Sequence, residues 1–126
     1  MARILVVDDD PDVTEACSLV LQRAGHTVSC AHNREEGMRK AVEENPDVMI
    51  LDVMMEQPDD GMAMAQELRR EGFKTPILML TSISKVTGLT YGGDSSVMPV
   101  DEFVEKPVDP ATLVEKITAL LKKAEG

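Results

Sequence analysis

Three short apolar runs, each ending in a polar side chain, constrain this chain more than any other feature. Ile4-Leu5-Val6-Val7 runs into Asp8-Asp9-Asp10, Val48-Met49-Ile50-Leu51 into Asp52, and Ile77-Leu78-Met79-Leu80 into Thr81. Runs this short, apolar at every position, suit strands that are covered on both faces, as in a parallel sheet. Thr27-Val28-Ser29-Cys30 alternates instead and suits a more exposed strand; Phe103-Val104 is a weaker fifth candidate.

Helical patterns separate the runs. Asp10-Pro11 is a start signal, an N-cap acid followed by proline at the first helical position. Val13, Ala16, Cys17, Val20, Leu21 and Ala24 then recur at helical spacing, and Gly25 stops the pattern. Asn33 with Glu36 three residues on resembles a capping box; Met38, Ala41 and Val42 follow as an apolar stripe, and Asn45-Pro46 ends it. A third helix over 61–70 carries Met62, Ala65 and Leu68, with Gly72 as its stop. Asp109-Pro110 repeats the cap-plus-proline start before Leu113, Val114, Ile117, Leu120 and Leu121. Between 82 and 101 the apolar stripe is short and broken by Gly88, Gly92, Gly93 and Pro99, so a fourth helix there is expected to be short or irregular. Strands alternating with helices imply an α/β fold with a doubly wound parallel sheet.

At 126 residues the natural count is one domain, residues 1–126, with no output domain attached. Thirteen basic against 23 acidic residues give a formal charge of −10. That charge excludes direct nucleic-acid binding and an anionic membrane surface. No apolar run nears the roughly 20 residues of a membrane span, and the start MARILVVDD lacks a signal-peptide layout. A cytoplasmic protein is expected. Cys17 and Cys30 make no disulfide framework and suit buried structural thiols, while His26 and His32 are too isolated for a metal site and are expected to be solvated.

Ligands of open parallel sheets bind beyond the carboxyl ends of the strands. The topology brings Asp8, Asp9, Asp52, Thr81 and Lys106, which follows the fifth strand, to one such edge. Asp10 reads as a helix cap rather than a member of the set. Clustered carboxylates in a partly buried place need a raised pKa or a cation. Mg2+ (or Mn2+) suits them, because it accepts one or two carboxylates and keeps room for water and phosphate oxygens. The hydroxyl and the ammonium then suit a phosphoryl group, and a carboxylate can itself accept one as an acyl phosphate.

The segments ILVVDDDPD, VMILDVMM, ILMLTS and FVEKPVDP, in this order and at these spacings, resemble the response-regulator receiver domain of two-component signal transduction. The resemblance spans nearly the whole chain. It implies a flavodoxin-like (βα)5 fold of strand order 2-1-3-4-5, with Asp52 as phosphoacceptor. It implies that Asp9 and Asp52 hold Mg2+ directly with the Met54 backbone carbonyl, and Asp8 through water. Thr81 would contact the phosphoryl group, Lys106 would pair with it, and Phe103 sits where the family has an aromatic switch, although plain core packing fits it equally. The Lys106-Pro107 bond is a candidate for the family's cis peptide. A partner histidine kinase, a phosphotransfer protein or a small phosphodonor would supply the phosphoryl group. The domain would catalyse its own phosphorylation and dephosphorylation rather than act as an enzyme on a separate substrate. The surface around the fourth helix and fifth strand would then control a downstream protein or an output domain.

Two stretches depart from the family pattern. Glu56 stands where the family usually has proline, and Gly61 falls one residue late, so the loop after Asp52 carries an insertion. The stretch from Thr81 to Lys106 is a few residues longer than usual. Two alternatives stand beside the receiver reading. One is a pseudo-receiver, an interaction module switched by partner binding alone. The other is a dehalogenase-like phosphatase using an aspartyl phosphate, but Val13 misaligns with that family's motif after the first strand.

Overall fold

The computed structural model describes residues 2–52, 60–81, 100–105 and 109–125. Five strands, β1 (Arg3–Val7), β2 (Thr27–Ala31), β3 (Val48–Asp52), β4 (Ile77–Thr81) and β5 (Glu102–Glu105), form one sheet. Its order is β2-β1-β3-β4-β5 and every pairing is parallel. This is the 2-1-3-4-5 arrangement of a flavodoxin-like fold. Helices α1 (Pro11–Arg23), α2 (Arg34–Glu44), α3 (Asp60–Arg70) and α4 (Pro110–Glu125) connect and flank the strands. The expected short helix between β4 and β5 falls on residues 82–99, outside the described residues.

Alternation along the strands sorts the core into two layers. Ile4, Val6, Val48, Ile50, Leu78 and Leu80 face α1 and α4, meeting Cys17, Leu21, Leu113 and Ile117. Leu5, Val7, Met49, Leu51, Ile77 and Met79 face α2 and α3, meeting Ala41, Met64, Ala65 and Leu68. The three central strands are buried on both sides, which is why their sequences lack polar alternation. β2 lies at an edge and is mostly half-buried, more exposed than the central strands but without a regular alternation.

The caps form as the sequence predicts. The Asp10 carboxylate accepts a hydrogen bond from the Asp12 amide at 2.9 Å, and Asn33 Oδ1 accepts one from Glu36 N at 2.7 Å. Glu36 returns the contact one residue earlier than a standard capping box, accepting from His32 N at 2.9 Å. Asn45 closes α2 in the left-handed region at φ 48°, a conformation asparagine tolerates and most residues avoid.

The structure corrects the expected placement of four side chains. Ala16 and Ala24 are exposed, and Thr14 joins Cys17 and Leu21 on the buried face of α1. Ala16 lies roughly 140° around the helix from Leu21, whereas Thr14 lies about 20° from it. Val42, expected in the α2 stripe, is 60% exposed, because the contact face centres on Gly37 and Ala41. Cys30 is only half-buried, unlike Cys17. Among the described residues no helix is long and apolar enough to cross a membrane.

Candidate functional site

Parallel pairing puts the carboxyl ends of all five strands on one edge. Asp8 directly follows β1 and is fully buried, Asp52 is the last residue of β3 and 5% exposed, and Asp9 is exposed. One carboxylate oxygen from each lies within 4.8 Å of those of the other two. Two unit charges at such a separation repel by on the order of 4 kcal/mol at the effective dielectric of a partly buried site. A hard cation relieves that repulsion, and three carboxylate oxygens are the donors such a cation prefers. The residues present therefore fit Mg2+ or Mn2+ in their chemistry.

The backbone fixes the acidic segment at both ends. Asp8 N donates to Ala31 O at 3.1 Å, tying the segment to the end of β2. Asp10 N donates to Asp8 Oδ1 at 2.9 Å, turning that carboxylate back over the chain. Asp10 spends its own side chain on the α1 cap and stays out of the cluster, as the sequence predicts.

Thr81 ends β4 at the same edge. Asp52 pairs in register with Leu80, so Thr81 lies one residue beyond it on the neighbouring strand. The Thr81 hydroxyl is buried and makes no hydrogen bond among the described residues. A buried hydroxyl in that condition is unfavourable unless something else comes to meet it. Phe103 pairs with Met79, two residues back from the edge, and packs half-buried with the α2 and α3 layer. Lys106, Met54, the Lys106-Pro107 peptide and the Glu56 loop lie outside the described residues.

A second group of polar side chains flanks the acidic segment and was not foreseen from sequence. His32, expected to be solvated, has an exposed ring whose Nε2 nevertheless lies 3.2 Å from Thr14 Oγ1. Lys40 Nζ donates to Cys30 O at 2.6 Å and lies 3.8 Å from Glu36 Oε2. The His32 amide, with help from Lys40, holds the Glu36 carboxyl below its usual range, and burial raises the Cys30 thiol. His26 is half-buried rather than solvated, its Nδ1 accepting from Ala2 N at 3.2 Å. The opposite edge of the sheet has an open polar hollow lined by Ala2, Arg3, Thr27, Asn45 and Asp47, remote from the acidic cluster.

Comparison with known proteins agrees with this geometry. The model of the response regulator receiver domain matches residues 4–118. The transcriptional regulator RpaA of Synechocystis is 34% identical, with 99% of this chain and 51% of that protein covered. The alkaline phosphatase synthesis regulator PhoP of Bacillus subtilis is 35% identical over 98% of this chain and 50% of its own length. The chain thus spans about half the length of the curated relatives it matches. Among solved structures, the response regulator TrrA of Thermotoga maritima, in complex with Mg2+ and beryllium fluoride, is 36% identical. It superposes with a TM-score of 0.81 over 95% of this chain and 99% of that one. The chain belongs to the response-regulator receiver-domain family.

Proposed function

We propose that this chain, as a single receiver domain over residues 1–126, is a phosphoryl-accepting switch with Asp52 as the acceptor. The observation that supports it best is the gathering of Asp8, Asp9 and Asp52 at the edge where the buried Thr81 hydroxyl has no partner among the described residues. Asp9 and Asp52, with the Met54 carbonyl, would hold Mg2+ (or Mn2+), and Asp8 would act through a water. When bound, the ion supplies positive charge against the phosphoryl oxygens.

The Asp52 carboxylate attacks phosphorus in line with the leaving group. With a phosphohistidine donor the P–N bond breaks, and its electron pair returns to the donor's ring nitrogen. The product is an acyl phosphate on Asp52. Lys106 pairs its ammonium with the new phosphate, and the Thr81 hydroxyl donates a hydrogen bond to it. Hydrolysis reverses the gain: water attacks phosphorus, the P–O bond to Asp52 breaks, and carboxylate and inorganic phosphate are released. The domain thus catalyses its own phosphorylation and dephosphorylation.

Drawing Thr81 toward the phosphoryl group would bias the surface around β5 and Phe103. A sensor histidine kinase or phosphotransfer protein in the cytoplasm is the partner that writes the signal. A downstream protein, or an output domain such as the relatives' extra length leaves room for, reads it. Beryllofluoride with Mg2+ tests this reading. It should shift the amide NMR signals around Asp52 and Thr81 in wild type and leave Asp52→Ala unchanged. An unresponsive wild type would favour an interaction module switched by partner binding alone.

A further inference from the structure

Thr14 Oγ1 lies 3.0 Å from Pro11 O and 3.2 Å from His32 Nε2, with the Cys30 thiol also in reach of the Thr14 side chain. A hydroxyl has one proton, and a carbonyl oxygen can only accept. The proton therefore goes to Pro11 O, and toward the imidazole Thr14 acts as acceptor. This assignment puts the hydrogen of a neutral His32 ring on Nε2. The bond is shielded on the Thr14 side, which is 3% exposed.

The same histidine is held from its other side. Glu36 Oε1 takes the His32 amide at 2.9 Å and lies 4.0 Å from Nδ1. Lys40 steadies Glu36 at 3.8 Å while it is anchored on Cys30 O. His32 thus ties the turn after β2 to the first turn of α1. Those are the two places to which the acidic segment is fastened. Asp8 N is on Ala31 O, immediately before His32, and Asp10 caps the helix that carries Thr14.

We propose that His32 is a positioning residue for the acidic cluster: as the Nε2–H tautomer it spans from the β2 end to α1 and holds residues 8–10 in register for a cation. The inference rests on the proposed Mg2+ role of Asp9 and Asp52 and adds to it a residue that touches neither ion nor phosphoryl group. Groups that orient metal ligands from behind commonly set affinity without contributing a donor.

The test has two arms on the purified chain. Long-range proton–nitrogen NMR correlation at neutral pH reads the tautomer, and Nε2–H is expected; an Nδ1–H ring overturns the proposal. Mg2+ titration then compares wild type with His32→Leu, His32→Gln and Thr14→Val. Leu at 32, or Val at 14, should weaken Mg2+ about 10-fold, at the low end for such supporting groups, while His32→Gln keeps a donor and stays within about 2-fold. Thr14→Val serves as the second variant should His32→Leu fold poorly. Wild-type binding with equal affinity in the folded variants overturns the His32 role alone. A wild type that does not bind Mg2+ overturns the metal reading and the His32 role together.

Discussion

Asp8, which follows β1, and Asp52, the last residue of the neighbouring β3, are both buried, with carboxylate oxygens no more than 4.8 Å apart. Nothing in the packing of the two core layers asks for acids there. Two carboxylates so close repel when both are ionised, and a bound cation would relieve that repulsion.

Mg2+ should therefore stabilise the fold by mass action. At a concentration a hundred times its dissociation constant, unfolding should become harder by about 2.7 kcal/mol. Chelation should reverse the gain, and Asp52→Ala or Asp9→Ala should abolish it. Thermal unfolding with and without Mg2+ measures this; an equal increment in Asp52→Ala would place the ion elsewhere.

Thr81→Val separates stability from switching. Valine keeps the shape and the strand preference while removing a buried hydroxyl that has no partner among the described residues. The unmodified protein should hold its stability or gain about 1 kcal/mol. The spectral difference between free and beryllofluoride-bound protein should shrink. A loss of stability larger than that gain, read by urea unfolding, would mean that the hydroxyl already has work in the resting state.

Gly37 lies where α2 crosses the end of β1. A Cβ there would stand 2.8 Å from Met64 Cε and 3.0 Å from Val7 Cγ1. The methionine end can swing away, but Val7 is itself fully buried in β1. Alanine would gain up to about 1 kcal/mol of helix propensity and lose about 1–3 kcal/mol to overpacking. The balance predicts that Gly37→Ala lowers stability in urea titrations, with amide shifts reaching Asp8, the residue after Val7. An unchanged or higher midpoint would show that α2 can lift off the sheet freely.

The pH dependence has a sign set by His26. Burial holds this imidazole below its ordinary 6.5, and its Nδ1 accepts from Ala2 N, a bond that needs the nitrogen bare. The folded state thus favours the neutral ring. Its contribution is present above the unfolded value and lost as pH falls through the lowered folded value. Stability should drop on acidification below neutrality, and His26→Gln should flatten that part of the curve. Equal slopes in the two proteins would remove His26 from the account.

Much of this was legible in the chain. Asp8, Asp52 and Thr81 announce themselves because a parallel sheet aligns its carboxyl ends, so three polar residues after three apolar runs must meet. Asp10, Asn33, Asn45 and Asp109 are legible as helix ends because capping is local. Burial on α1 was less so. Alanines at 16 and 24 fit an apolar stripe but carry too little surface to fix which side faces the sheet. Thr14 looks exposed until its partner, 18 residues on, is in place. The Gly37 contact depends on Val7 and Met64, which only the folded chain brings together. β5 is short and half-buried at an edge, so its pattern is faint.

Whether Asp52 accepts a phosphoryl group is decided by mapping the modified residue. The chain is treated with acetyl phosphate and Mg2+, and the acyl phosphate is trapped by borohydride reduction and located by tandem mass spectrometry. Wild type is expected to be modified at Asp52, with no modification without Mg2+ and none in Asp52→Ala. A wild type that stays unmodified, or one modified at another carboxylate, would contradict the Asp52 assignment.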